Sequence, residues 1–169
     1  MKKFFYILVF VLLAVVIFRG FLFRKFVKYE SVGTRGIFLV IDEEDTFKSK
    51  NINEIIDYSL NKTARKLEFT FDNQTKPLIT GKANCIGYCD YFSSRMNQIL
   101  ENNDMKDWKI SHEIGKLEVF GIDIHQYFSS PFFKDHDFVT VENIKTGEKI
   151  SIDPTVYDYF KIDRISLKN

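Results

Sequence analysis

Acidic residues are missing from the first 28 positions, where six basic residues fall: Lys2, Lys3, Arg19, Arg24, Lys25 and Lys28. The remainder carries 18 basic and 23 acidic residues, so a net charge of +1 conceals a basic leader ahead of a mildly acidic domain. That asymmetry argues against nucleic acid as a partner and for a membrane. Cysteine is scarce as well. Cys85 and Cys89 are the only two, four apart on one predicted helix, a poor geometry for a disulfide that says nothing of redox compartment. They do not have zinc-knuckle spacing, and no His-x-x-x-His pair accompanies them, so a metal site is set aside and no cofactor is expected. Internal repeats and low-complexity tracts are missing too. With 45% hydrophobic and 16% aromatic residues the chain has the makings of a real core rather than of a disordered segment. Its 169 residues allow one domain of ordinary size and little else.

What is present begins with a long apolar run. Phe4 to Phe18 carries no charge, and Arg19 alone interrupts the run on to Phe23. Twenty helical residues span about 30 Å, the thickness of a bilayer's hydrocarbon core. Arg19 near the end can snorkel to the headgroups. No small-x-small cleavage site follows, so the expected arrangement is an uncleaved single-pass anchor over residues 1–28 and a domain over 29–169; a cleaved signal peptide is the alternative. The basic residues after the span place the domain in the cytoplasm, while the Lys-Lys-apolar opening is that of exported proteins, so the side stays open.

Beyond the leader, Glu30 to Thr34 reads as a juxtamembrane linker and Gly36 to Ile41 as a short buried strand. Asp42-Glu43-Glu44-Asp45 reads as a solvated turn; the alternating ligands and central glycine of a calcium loop are absent. Ile52, Ile55, Ile56, Leu60 and Ala64 recur at helical spacing over Asn51 to Lys66. Leu67 to Phe71 alternates as a strand, and Asp72 to Ala83 reads as a loop. From Cys85 to Leu100 a second helix buries Cys85, Tyr88, Cys89, Phe92, Met96 and Ile99 on one face. Trp108 to Ile114 and Lys116 to Phe120 are expected strands, followed by an aromatic insertion over Gly121 to Phe133. Asp137 to Glu142 and Glu148 to Ile152 form a hairpin around a turn containing Gly147. Helices come first and paired strands follow without βαβ alternation, so the class is α+β with an antiparallel sheet.

Three blocks carry chemistry. Cys85 opens a helix, His136 begins a strand, and Asp153 ends the next. A thiol becomes a strong nucleophile when a helix N-terminus stabilises its thiolate, an imidazole takes its proton, and a carboxylate fixes the imidazole's tautomer. Cys85, Gly87, Tyr88, Cys89 and Phe92 follow the pattern C-x-G-Y-[small]-x-x-F; His136, Phe138, Val139 and Val141 follow H-x-[aromatic]-V-x-V; Ile152 to Thr155 reads apolar-D-P-T. In this order the blocks resemble the transglutaminase-like superfamily, a papain-like α+β core with a Cys-His-Asp triad. Cys85 and His136 are 51 residues apart and His136 and Asp153 are 17, so a hairpin sets the last two side by side and an insertion precedes the histidine.

The resemblance implies Cys85 as nucleophile, His136 as base and Asp153 as its orienting partner, with the Cys85 backbone N–H in an oxyanion hole and Asn84 or Gln74 as candidates for its second donor. Cys89 reads as a small buried hydrophobe, His112 as a surface residue, and His125 as a residue capping or rimming a pocket. Asp135 and Asp137 flank His136, and either would favour its protonation if close. The chain departs from cross-linking transglutaminases: Ile86 stands where tryptophan follows their nucleophile, and their added β-domains and calcium sites have no counterpart. The resemblance therefore implies a membrane-anchored thiol hydrolase or acyltransferase acting on a peptide or protein, with amide hydrolysis ahead of cross-linking. An idle domain binding a peptide or partner protein in the same groove is the alternative.

Overall fold

The apolar leader forms helix α1 (Lys2–Phe26) in the computed structural model, which describes residues 2–38, 45–72 and 81–168. The most apolar 18-residue window of the stretch Lys3–Phe26 has a mean hydropathy of 2.7 and is uncovered by the rest of the chain. It is long and apolar enough to span a bilayer, a property shared by membrane anchors and signal sequences. The chain then passes straight into strand β1 (Val27–Arg35), which pairs antiparallel with β4 along its length. The linker expected over Glu30 to Thr34 is thus a strand. Its outer residues face solvent, so it lacks the apolar alternation by which a strand is recognised.

Asn51 caps α2 (Ile52–Lys66), its side chain accepting from the Asn53 N–H. A short parallel pair follows, β2 (Glu68–Phe69) with β3 (Lys82–Ala83), shorter than the strand expected over Leu67 to Phe71. Helix α3 (Cys85–Asn102) buries all six residues placed on its inner face by periodicity. Strand β4 (Trp108–Val119) is one continuous element where two were expected, and β5 (Ile122–Asp123) folds back on its end. Two 3₁₀ turns, Ile124–Tyr127 and Pro131–Phe133, complete the aromatic insertion. The hairpin is β6 (His136–Asn143) and β7 (Lys149–Ile152), turning at Gly147 with φ +74°. Helix α4 (Pro154–Phe160) follows directly.

The fold is α+β. The main sheet runs β1-β4-β6-β7, antiparallel throughout, with β5 on the end of β4. On one side Ile55, Ile56 and Leu60 of α2 and Phe92, Met96 and Ile99 of α3 meet Val139 and Val141 of β6. On the other, Phe138 packs with Tyr29, Ile165 and the end of the leader. Gly115 is required there: a Cβ on it would stand 2.6 Å from the Phe138 ring and 2.9 Å from the His136 carbonyl. The two faces matter for the site, because successive residues of β6 point to opposite sides.

Two readings of the chain's first third change. Residues 36–38 carry no regular structure, and the rest of the expected Gly36 to Ile41 strand lies outside the described residues. Of the acidic run, Asp45 alone is described, and it is buried rather than solvated. It takes the Arg95 guanidinium at 2.5 Å, the Phe47 N–H and the Tyr58 hydroxyl, which together offset the cost of burying a carboxylate.

Candidate active site

Cys85 is the first residue of α3. Asn84 precedes it as the cap, its side-chain oxygen accepting from the Gly87 N–H at 3.2 Å. That oxygen satisfies one orphan N–H of the first turn and holds the helix start beside the thiol. Asn84, considered as an oxyanion donor, thus serves its acceptor as a cap; Gln74 lies outside the described residues. The unpaired amides of the first turn create a positive potential where Cys85 sits.

His136 is the first residue of β6, and its ring is one-fifth exposed. Nε2 lies 2.6 Å from Oδ2 of Asp153. An ionised carboxylate only accepts, so Nε2 carries a proton and Nδ1 is the nitrogen left to face the thiol. His136 and Cys85 line the same cavity, and the Cys85 sulfur is near enough to favour protonation of the His136 ring. Burial would drive His136 towards its neutral form, but the Asp153 charge and hydrogen bond, with Cys85 behind them, outweigh it and hold its pKa well above the ordinary value.

Asp153 is fully buried and has four donors. Oδ2 accepts from His136 and from the Tyr29 hydroxyl at 2.8 Å; Oδ1 accepts from the Thr155 and Val156 N–H groups at 3.0 Å each. Burial alone would raise its pKa, yet the His136 charge, the cap amides and Tyr29 bring it below the usual carboxylate range. Tyr29, fully buried beside that charge, is pushed well above the normal phenol value and stays a fixed donor. The sequence held no signal for Tyr29, which falls just after the basic flank of the leader. Asp153-Pro154 is also more than a strand end: it is the cap and first residue of α4, and the cap supplies half of the carboxylate's partners.

Family models, curated proteins and solved structures give no match to this chain.

Around Cys85, His136 and Asp153 lies a second ionic group that the sequence did not announce. His112 is not a surface residue: it is buried, with Nδ1 3.0 Å from Asp90 and Nε2 2.7 Å from Asp137. Both nitrogens face carboxylates, so both are protonated. Burial opposes this, but the bonds to Asp137 and Asp90 prevail and raise its pKa to about 9. Asp137 also takes Arg35 Nε at 2.6 Å, and Arg35 reaches Asp135 at 3.8 Å. Two cations and two buried carboxylates thus tie α3, β1, β4 and β6 together just behind Cys85. Asp137, a neighbour of His136 in sequence, points to the other face of the sheet and belongs to this group. Cys89 is fully buried, and burial together with the nearby Asp153 and Asp137 charges pushes its thiol well above the usual range. It is a packing residue, as its place on the apolar face suggested.

A cavity of about 310 Å³ opens against Cys85 and His136. Five of its eleven lining residues are phenylalanines: Phe69, Phe71, Phe128, Phe132 and Phe133. His125 lines it too, its Nδ1 donating to the Phe133 carbonyl at 2.6 Å while its buried Nε2 has no partner among the described residues. The aromatic insertion is therefore one wall of the site. Among the described residues no three His, Cys, Asp or Glu side chains converge as metal ligands would.

Proposed function

We propose that the protein is a transglutaminase-like thiol hydrolase or acyltransferase, held at a membrane by α1, in which Cys85 attacks an acyl carbonyl, His136 moves the proton and Asp153 orients His136. The observation that carries this reading is the chain of hydrogen bonds from Tyr29 and the α4 cap through Asp153 to His136, which lines a cavity together with Cys85. A buried carboxylate with four donors is a costly arrangement for packing alone, and it fixes one ring orientation at the edge of open space.

The steps follow from the groups present. The Cys85 thiolate adds to the carbonyl carbon, and the oxyanion forms beside the Cys85 N–H and the first turn of α3. Protonated His136 gives its Nδ1 proton to the departing amine, leaving a thioester on Cys85. Water, or an amine in transfer, loses a proton to His136 and releases the acyl group. Hydrolysis of an amide in a peptide or protein is the reaction favoured over cross-linking, since Ile86 replaces the tryptophan of cross-linking enzymes.

Thiol labelling tests the reading without a known substrate. Iodoacetamide at pH 6 should label Cys85 and leave Cys89 slow, with the peptides separated by mass spectrometry. A thiol without an activating partner has a pKa near 8.5 and reacts poorly at that pH. His136→Ala should slow the labelling of Cys85 strongly. Sluggish labelling of both cysteines, unchanged by His136→Ala, would favour a domain that only binds its partner in this groove.

A further inference from the structure

We infer that the acyl group taken up by Cys85 is a linear hydrocarbon chain, and that the cavity beside the triad is its binding site. This rests on the thiol acyl-transfer reading and deepens it, keeping the chemistry of Cys85 while replacing a peptide acyl group by a hydrocarbon one. The polar residues that line the cavity are Cys85, His125, Asp135 and His136; the rest of the lining is aromatic and aliphatic carbon. A peptide backbone threaded through such a wall would leave N–H and C=O groups without partners, each an unfavourable burial. A methylene chain carries no such groups and gains from every carbon it buries. The volume, about 310 Å³, is roughly ten times the ~30 Å³ share of one water molecule, enough for about ten non-hydrogen atoms.

The surroundings of the cavity show where such a chain would come from. Leu117 lines the cavity and also packs in the cluster that holds Phe23, in the last turns of α1. Phe26 packs against Phe120 with tilted rings, 4.7 Å between centroids, and the Phe120 N–H donates to the Phe26 carbonyl. From Phe120 the chain runs through Ile122 and Tyr127 to Phe128, all four exposed, and Phe128 is itself cavity wall. Exposed apolar side chains thus recur along the segment that leads from the end of the bilayer-length helix to the cavity wall. Exposed aromatic side chains next to such a helix suit the headgroup layer, where acyl chains are at hand.

In chemical terms, the acyl carbon–heteroatom bond of an ester, thioester or amide breaks as the Cys85 Sγ–carbon bond forms. The leaving alcohol, thiol or amine takes the proton from His136. Water then cleaves the thioester, returning a proton to His136 and releasing a carboxylic acid, with no change of oxidation state.

The test uses full-length protein in lipid nanodiscs and 4-nitrophenyl esters of straight-chain acids from acetate through octanoate to tetradecanoate, with Cys85→Ala as background. Each added methylene should raise kcat/KM about fourfold until the cavity is full. Ile124→Trp, which fills the cavity, should collapse the octanoate-to-acetate ratio, whereas partition of the ester into lipid is the same for both proteins. Phe128→Ala, at a half-exposed wall residue, should shift the optimum to longer chains. Cys85-dependent turnover with no gain on lengthening would overturn the inference and leave the triad reading intact. Preference for 4-hydroxyphenylacetate over octanoate would overturn it in favour of an aromatic side chain whose hydroxyl donates to His125 Nε2. Turnover of no ester, acetate included, in a Cys85-dependent way would overturn both.

Discussion

Replacing Asp153 by asparagine separates the two jobs of this side chain. Asparagine is as good a helix cap as aspartate, so its oxygen can keep the Thr155 and Val156 amides and α4 stays in place. The other terminal atom then becomes an NH₂ facing two donors, the His136 Nε2–H and the Tyr29 hydroxyl, which sit 2.6 and 2.8 Å from it in the native protein. Relief comes if His136 gives up its Nε2 proton, which places the remaining proton on Nδ1, towards Cys85. In that tautomer the ring cannot accept the thiol's proton. The lost hydrogen bond between charged His136 and Asp153 is worth about 1.5–3 kcal/mol, so thiol alkylation at pH 6 should fall about 10- to 150-fold. Asp153→Ala loses the cap as well, at a further cost of about 0.5–2 kcal/mol. The assay is the pseudo-first-order rate of Cys85 modification by iodoacetamide, followed by mass spectrometry, with circular dichroism as the check on folding. Stability should respond to acid in a matching way. A depressed Asp153 pKa contributes stability that is present above the unfolded carboxylate value and is lost as pH falls through the native one, and the asparagine variant should lack that component. An unchanged labelling rate in a folded Asp153→Asn protein would refute the assigned role.

Two further outcomes follow from the site's surroundings. His112 should remain an imidazolium at pH 8 by NMR of its ring, and stability should decline as pH rises from about 7 through about 9 as this raised group deprotonates; a ring already neutral at pH 7 would show that the two carboxylates do not hold it charged. Gly115→Ala places a methyl 2.6 Å from the Phe138 ring and should destabilise the domain by roughly 1–3 kcal/mol, read as a fall in Tm, while an unchanged Tm would mean that β6 yields freely at His136.

How much of this was legible in the sequence depended on whether a residue's environment repeats along its own element. Helix α3 buries one stripe, so Tyr88, Phe92, Met96 and Ile99 announced both the helix and its inner face. The β6–β7 hairpin was equally plain, and with it the approach of Asp153 to His136, because a short turn leaves the register little freedom. His112 was misplaced because its polar neighbours suggested a wet face, whereas Asp90 and Asp137, which neutralise it, come from 22 and 25 residues away. Asp45 failed in the same way, since Arg95 lies 50 residues on. Strand β1 and Tyr29 were invisible for a different reason: an edge strand with one exposed side need not alternate, and the Tyr29 partner is 124 residues distant. Helix α4 has no distinct signal in the sequence, because Asp-Pro ends a strand as readily as it begins a helix.

The absence of slack between α1 and β1 has a consequence for reach. The helix ends at Phe26, the strand begins at Val27, and Tyr29 already touches Asp153. Three extended residues measure about 10 Å, and they are locked into the sheet rather than free to swing. A domain on a flexible tether patrols a hemisphere set by the length of its leash. This one would stand at a single altitude above a bilayer spanned by α1, like a tool on a short fixed post. Bonds held close to the surface are then met at a constant height, and those carried farther out stay beyond its grasp unless the substrate bends down to it.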